Sequence, residues 1–242
     1  MIKDLVRSFT KPMGFDIVKY PLSPIGRRLR DFFRESGVNL VIDVGAFDGG
    51  FCRLLRTEGE YYGPIISFEP SAKSFEKLQA AMKGDANWKG FRIGLSDQSS
   101  SAALRTFSEN PDFNSIQAAN SNMKFFGIDE SSDVVEKIEL RRLDEVWKDC
   151  CPQEGVRAFL KMDTQGHDLK VFTGAYRILD HVIGLQSELS AIQIYDQAPT
   201  MCEVIDAFKE KRFSPIGFYE VNGISVHGGI AEFDGLFVKL SS

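Results

Sequence analysis

The chain has 242 residues, 43% of them apolar and 20 of them Phe, with a formal net charge of −5 and a pI near 5.4. That size fits one α/β domain with a short appendage and ample material for a core. The acidic balance opposes a nucleic-acid partner, which needs a basic face. Cys52, Cys150, Cys151 and Cys202 form no C-x-x-C pair and the three His are scattered, which opposes structural zinc and fits reduced cytoplasmic thiols.

Positive charge gathers at the amino end. Residues 1–34 hold eight Lys and Arg against three Asp, a net of +5, which leaves −10 for the rest of the chain. Ile2, Leu5, Val6 and Phe9 recur at helical spacing with Lys3 and Arg7 between them. Residues 1–36 therefore read as a basic helical appendage, with three roles open: lying on the main domain, meeting a second copy of the chain, or touching a membrane surface. No apolar run reaches the roughly 18 residues of a transmembrane helix, and no signal peptide is visible.

Ser23-Pro24 predicts an N-cap and first-turn proline opening a helix to about Ser36, stopped by Gly37. Strand one follows at Asn39–Val44, a helix at Gly50–Thr57, and strand two at Pro64–Phe68. Ser71 is expected to cap a helix through Met82, with Gly84 as the stop and strand three near Trp88–Leu95. Residues 98–133 read as a long polar loop or lid with Phe107, Phe113, Phe125 and Phe126 interspersed. Val134–Arg142 alternates like an extra strand, and Leu143–Cys150 reads as a short helix. Strand four is Arg157–Met162, with a helix over Asp168–Leu179; strand five is Val182–Ser187, and Thr200–Lys211 is helical. Phe213–Val221 and Glu232–Lys239 are expected to pair as a closing hairpin across Asn222-Gly223. Alternating strands and helices that finish on two strands predict a doubly wound, mostly parallel sheet with an antiparallel strand near one edge.

In such sheets ligands lie beyond the carboxyl ends of the strands. Asp43, Glu69, Asp97, Asp163 and Glu188 all fall at predicted strand ends. The run Leu40-Val41-Ile42-Asp43-Val44-Gly45-Ala46-Phe47-Asp48-Gly49-Gly50 is an apolar strand breaking into an acid and a glycine loop. Glu69 ends the next strand, where a carboxylate accepts from ribose hydroxyls. The glycine spacing is wrong for G-x-G-x-x-G, and there is no Gly-Lys-Ser/Thr. A phosphate about 6 Å from Asp48 would be repelled by roughly 2–3 kcal/mol at an effective dielectric of 20. A cationic, phosphate-free cofactor fits better, which favours S-adenosyl-L-methionine (SAM) over NAD and opposes an NAD-linked reductase.

Four segments, Asp43–Gly49, Phe68-Glu69-Pro70, Leu95-Ser96-Asp97 and Leu160–Asp168, resemble the FkbM-type SAM-dependent methyltransferases in content and order. The likeness runs from about Val38 to Val238. Family members often have Asn in place of Phe47 and Glu in place of Gln165. The resemblance implies a Rossmann-like class I methyltransferase fold over residues 37–242, with a seven-stranded sheet and one antiparallel strand. The cofactor set is then Asp43, Gly45, Phe47, Asp48, Gly49, Glu69, Pro70, Ser96 and Asp97. Gly45 and Gly49 are expected to approach the methionine moiety by backbone, Asp43 to orient the loop or the ammonium, and Asp97 to meet the adenine amine or simply make a turn.

Methyl transfer needs an aligned acceptor and, for a hydroxyl, a base within hydrogen-bond reach. His167 is the candidate by its near-neutral titration; a local hydrogen bond at a helix start is the alternative. Asp163 could serve as base, orienter or ligand of a divalent metal, and Glu188 could complete a metal pair with it. Asn114, Ser115, Gln165 and Glu188 are expected to line the acceptor pocket, with His227 at its border and His181 structural. The resulting expectation is O-methylation of a sugar, glycan or other small hydroxyl compound. N-methylation of a small amine and a non-catalytic SAM-binding module docking on a partner are the rivals.

Overall fold

The computed structural model describes residues 10–13, 23–107, 113–122, 134–150, 155–223 and 230–240. The apolar stripe at Ile2–Phe9, His227 and Cys151 lie outside them. Helix α1 (Pro24–Ser36) starts where the Ser23 side chain accepts from the Gly26 amide and stops at Gly37, whose φ of +66° suits a residue without Cβ. Its apolar face packs Phe32 and Phe33 on Phe159, with centroids 6.0 and 4.9 Å apart. Glu58 accepts from the Ser23 amide and hydroxyl, both at 2.7 Å, pinning this helix to the end of the next one. The expected division at residue 36 therefore cuts through a packed unit: α1 belongs to the main core.

Strands β1 (Leu40–Val44) and β2 (Ile65–Phe68) alternate with α2 (Gly50–Thr57) and α3 (Ala72–Ala81), followed by β3 (Trp88–Phe91). After an insertion, β7 (Ala158–Met162), α5 (Asp168–Gly174), β8 (Val182–Ser190), α6 (Met201–Glu210), β9 (Phe213–Gly223) and β10 (Ile230–Lys239) complete the main sheet. Its order is β3-β2-β1-β7-β8-β10-β9, with β10 antiparallel to both neighbours. Strands β1 and β7 are buried at every position, as parallel strands covered on both faces must be. They adjoin at the centre, so chain direction across the sheet reverses there and a crevice opens above their carboxyl ends.

Five expectations are corrected. Strand three does not run through Leu95: after β3 the chain breaks at Arg92-Ile93, and β4 (Gly94–Leu95) joins a second sheet of order β4-β6-β5. Part of the long polar stretch is β5 (Ser100–Thr106), hidden in the sequence because only Leu104 along it is buried; it pairs antiparallel with β6 (Val134–Arg141), which leads into α4 (Leu143–Cys150). Strand five continues to Ser190, since pairing with β10 carries it past Glu188. The helix after β7 ends at Gly174, and Asn222-Gly223 lie within β9 and are not the hairpin turn.

The two faces of the main sheet differ. Toward α4, α5 and α6 it is mainly apolar, with Leu40, Ile42, Val44, Leu160, Met162 and Leu185 in one cluster with Val171, Phe172 and Phe208. Toward α1 and α2 it begins apolar with Val41, Ile65 and Phe159. Two residues further along, register places Ser67, Asp43, Lys161 and Gln186 side by side across four strands. This buried polar row supports the crevice.

Candidate active site

Lys161 is the pivot of the row. It is 5% exposed, and its ammonium lies 3.3 Å from Asp43, 3.2 Å from Asp163 and 3.0 Å from the Gly45 carbonyl. Burial alone would strip its proton, but Asp163, Asp43 and Asp234 together raise its affinity for that proton and keep it charged. One buried cation thus fixes the loop after β1 to the loop after β7. Asp43, fully buried, also touches Cys52 and Ser67, so it orients the loop through Lys161 and does not line the main cavity. Gly45 is required for a different reason than ligand approach: at φ +74° a Cβ there would sit 1.8 Å from the Asp163 carbonyl oxygen.

Above these loops lies a cavity of about 330 Å³. Glu69 stands at one end. Its carboxylate accepts from the Phe47 and Ser71 amides, both at 2.9 Å, leaving a lone pair on each oxygen for a ligand. Burial pushes its pKa up to about 7 despite those amides. Leu95 from β4, Leu104 from β5, and Ile138 and Leu140 from β6 form an apolar wall beside it, so the small sheet is one side of the cavity.

Asp163, Gln165 and Glu188 form the other end. The Gln165 amide donates to Glu188 at 2.8 Å and to Asp163 at 3.3 Å. Its own oxygen accepts from the Tyr195 hydroxyl at 2.8 Å, and its carbonyl from Ser115 at 2.7 Å. Asp168 locks the two strand ends together, accepting from Thr164, from the Ser187 hydroxyl and from the Glu188 amide. Glu188 is surrounded by acids: burial first, then Asp163, Glu232, Asp168 and Asp234, push its pKa well above the usual carboxylate range. An amide occupies the bridge between Asp163 and Glu188 that the sequence had offered to a divalent metal. Among the described residues no three His, Cys, Asp or Glu cluster as metal ligands.

His167 lines the cavity from the start of α5. Its Nε2 lies 2.9 Å from the Ser96 hydroxyl, which donates to Asp97. Ser96 then accepts from Nε2–H, leaving Nδ1 as a buried acceptor with no partner. Burial, then Lys170, lowers the imidazole pKa to about 4. Such a ring accepts a hydrogen bond at neutral pH but is a weak base.

Of the expected cofactor set, Gly45, Phe47, Glu69 and Pro70 line the cavity, as do Asn114, Ser115, Gln165 and Glu188 of the acceptor set. Asp43, Asp48, Gly49, Ser96 and Asp97 do not. Asp48 caps the first turn of α2, pairs with Arg53 at 3.0 Å, and faces a smaller cavity of about 240 Å³ beside α1. Gly49, at φ +85°, is the N-cap of α2 and abuts Leu78. Phe47 and Gln165, where family members often carry Asn and Glu, both have positive φ (47° and 53°). For residues other than Gly such backbone costs roughly 1–3 kcal/mol each and clusters at ligand sites. Sequence reading missed Lys161, Asp168, Tyr195 and Asp234. A Lys inside an otherwise apolar strand was the one signal that pointed to any of them.

A family model described as the methyltransferase FkbM domain matches residues 43–215. Among solved structures, the FkbM methyltransferase from Methylobacillus flagellatus KT superposes with a TM-score of 0.50 at 15% identity, over 86% of this chain and 47% of that one. This chain therefore spans about half the length of that relative, and the likeness is one of fold. An rRNA methylase from Streptococcus thermophilus (TM-score 0.46, 13% identity, 93% of this chain and 99% of that one) is also similar. So is Aeropyrum pernix fibrillarin with natively bound S-adenosyl-L-methionine (0.46, 9%, 97% and 74%). No curated protein matches the chain. Among the described residues no helix is long and apolar enough to cross a membrane.

Proposed function

The chain belongs to the FkbM methyltransferase domain family, whose cofactor is SAM, and on that premise we propose that it methylates a hydroxyl of a sugar, glycan or other small molecule. Bound SAM supplies an electrophilic methyl group on sulfur; the chain's own residues do the holding and take the proton. In this reading Glu69 accepts from the ribose hydroxyls, and Leu95, Leu104, Ile138 and Leu140, which line the same cavity, flank the adenine. On the same reading, the end lined by Asp163 and Glu188 is where the sulfonium and the acceptor meet.

The observation that carries the oxygen reading is the acid floor. A hydroxyl loses its proton as the new bond forms, and the group that receives it works best when its pKa lies near the ambient pH. Burial and the surrounding acids make Glu188 a stronger base than an ordinary carboxylate, while burial and Lys170 weaken His167. In this reading the proton therefore passes to Glu188, with Asp163 and Gln165 as its positioning partners. The same floor would hold an amine acceptor as its ammonium form, which has no lone pair for attack. Nothing in a merely cofactor-binding module calls for such a floor.

Incubation with methyl-labelled SAM and a panel of hydroxyl compounds, glycans and amines tests the reading. Label is expected on oxygen, with Glu188→Gln slowing kcat and leaving the affinity for S-adenosylhomocysteine intact. Glu69→Ala should weaken that affinity roughly a hundredfold, the worth of two hydrogen bonds to a charged group. Transfer to nitrogen only, or tight cofactor binding with no turnover on any acceptor, would overturn it.

A further inference from the structure

The charge of the cavity lining limits what can enter it. Glu69, Asp163 and Glu188 line the cavity, and among the described residues no Lys or Arg does. The nearest cation, Lys161, is committed beneath the floor to Asp43, Asp163 and the Gly45 carbonyl. His167 is neutral. Behind Glu188 stand more acids on every packed element: Asp168 on α5, Glu232 and Asp234 on β10, with Tyr195 alongside. SAM brings a net positive charge and balances part of this, and Glu69 is expected to be taken up by its ribose. The acceptor end keeps Asp163 and Glu188. The remaining lining there is uncharged: Phe113, Asn114 and Ser115, the last bonded to the Gln165 carbonyl.

Resting on the oxygen-methylation reading, we propose that the acceptor is a neutral polyhydroxylated compound, a sugar without phosphate or carboxylate near the reacting oxygen. Its hydroxyl edge meets Asp163, Gln165 and Glu188, and its C–H face rests on Phe113. Uronates, sugar phosphates and nucleotide-sugars that place an anion within roughly a Debye length, about 8 Å, of the floor are rejected. Each carboxylate about 6 Å from such an anion, at an effective dielectric of about 20, disfavours it roughly a hundredfold. Part of that penalty can be relieved when the anion raises the floor's proton affinity and a proton is taken up. The discrimination should therefore weaken at low pH and strengthen as pH rises and the floor ionises.

The test uses a matched set on the whole protein: a neutral methyl hexoside, the corresponding uronate and the 6-phosphate. The expected kcat/KM for the neutral compound exceeds the other two by about a hundredfold at pH 8, by less at pH 6, and Glu188→Gln narrows the pH 8 ratio about tenfold or more. Should that variant turn over too slowly, titration calorimetry of the hexoside and the uronate into protein saturated with S-adenosylhomocysteine reads the same preference without chemistry. Uronate or phosphate accepted on oxygen within a few-fold of the neutral compound would overturn the charge rule and leave oxygen methylation standing. Methylation confined to an amine would instead remove the premise, and with it the proposal.

Discussion

The two faces of the central sheet are built from alternate residues of the same strands, yet they solve different problems. In β1 and β7, Leu40, Ile42, Leu160 and Met162 face α4–α6 and are apolar. Asp43 and Lys161, between them in sequence, face the other way and are equally buried. The first face is held by area removed from water and by packed rings such as Phe172 on Phe208, 4.6 Å apart. The second is held at its upper edge by one cation among acids, where the stabilisation comes from completing the set. A buried charge network of this kind is worth little relative to an apolar core, but removing one member leaves the others unpaired.

The largest effects should come from attacking each face in turn. Phe172→Ala should destabilise by about 3–5 kcal/mol through the cavity it leaves. Lys161→Met should cost a similar 3–5 kcal/mol by stranding Asp43 and Asp163. Urea denaturation measures both, and calorimetry separates them: the folded fraction of Phe172→Ala should bind S-adenosylhomocysteine normally, whereas Lys161→Met should bind it weakly because the Gly45 loop has lost its anchor.

Acidity should act on the polar face alone. Glu69 titrates at about 7 and Asp234 at about 6 in the folded protein, against 4.5 and 3.8 as ordinary values. Between those limits the folded state binds more protons than the unfolded chain, so stability falls as pH rises from about 4 to 7. Glu69 alone contributes about 3 kcal/mol to that fall. His167, lowered to about 4, works in the opposite sense, losing stability as pH drops from 6.5; the carboxylates outnumber it. Melting curves across pH should show the slope, and Glu69→Gln should flatten it. Cofactor affinity should run the other way, rising with pH up to about 7, because the ribose is gripped by the ionised carboxylate.

Smaller effects refine the picture. Tyr195→Phe removes the donor to the Gln165 oxygen; a loss of about 1 kcal/mol in stability and a several-fold drop in kcat are expected, with cofactor binding unchanged. Asp48→Ala, at an exposed pair with Arg53, should cost about 0–1 kcal/mol and leave affinity for S-adenosylhomocysteine as it was. A large loss of affinity there would return Asp48 to the cofactor site.

How much was legible follows from these contrasts. Helices α1, α2 and α4 were readable to the residue, because Ser23-Pro24, Gly37 and the apolar stripes are local signals. Strands β1 and β7 were readable too, since buried parallel strands and their trailing glycine loops carry their own composition; their pairing at the centre of the sheet was not. β5 was not: its exposed face makes it look like loop, and only pairing with β6 makes it a strand. Glu69 was found because its place is set by the end of its own strand.

Fold class and cofactor type were thus written in short stretches, each interpretable without its neighbours: a glycine loop, a strand ending in an acid, a capped helix. Which acid holds a lysine and why Gly45 tolerates no side chain depended on contacts between segments more than a hundred residues apart. Electrostatics is set by who stands within a few ångströms, and that distance exists only once the chain has folded.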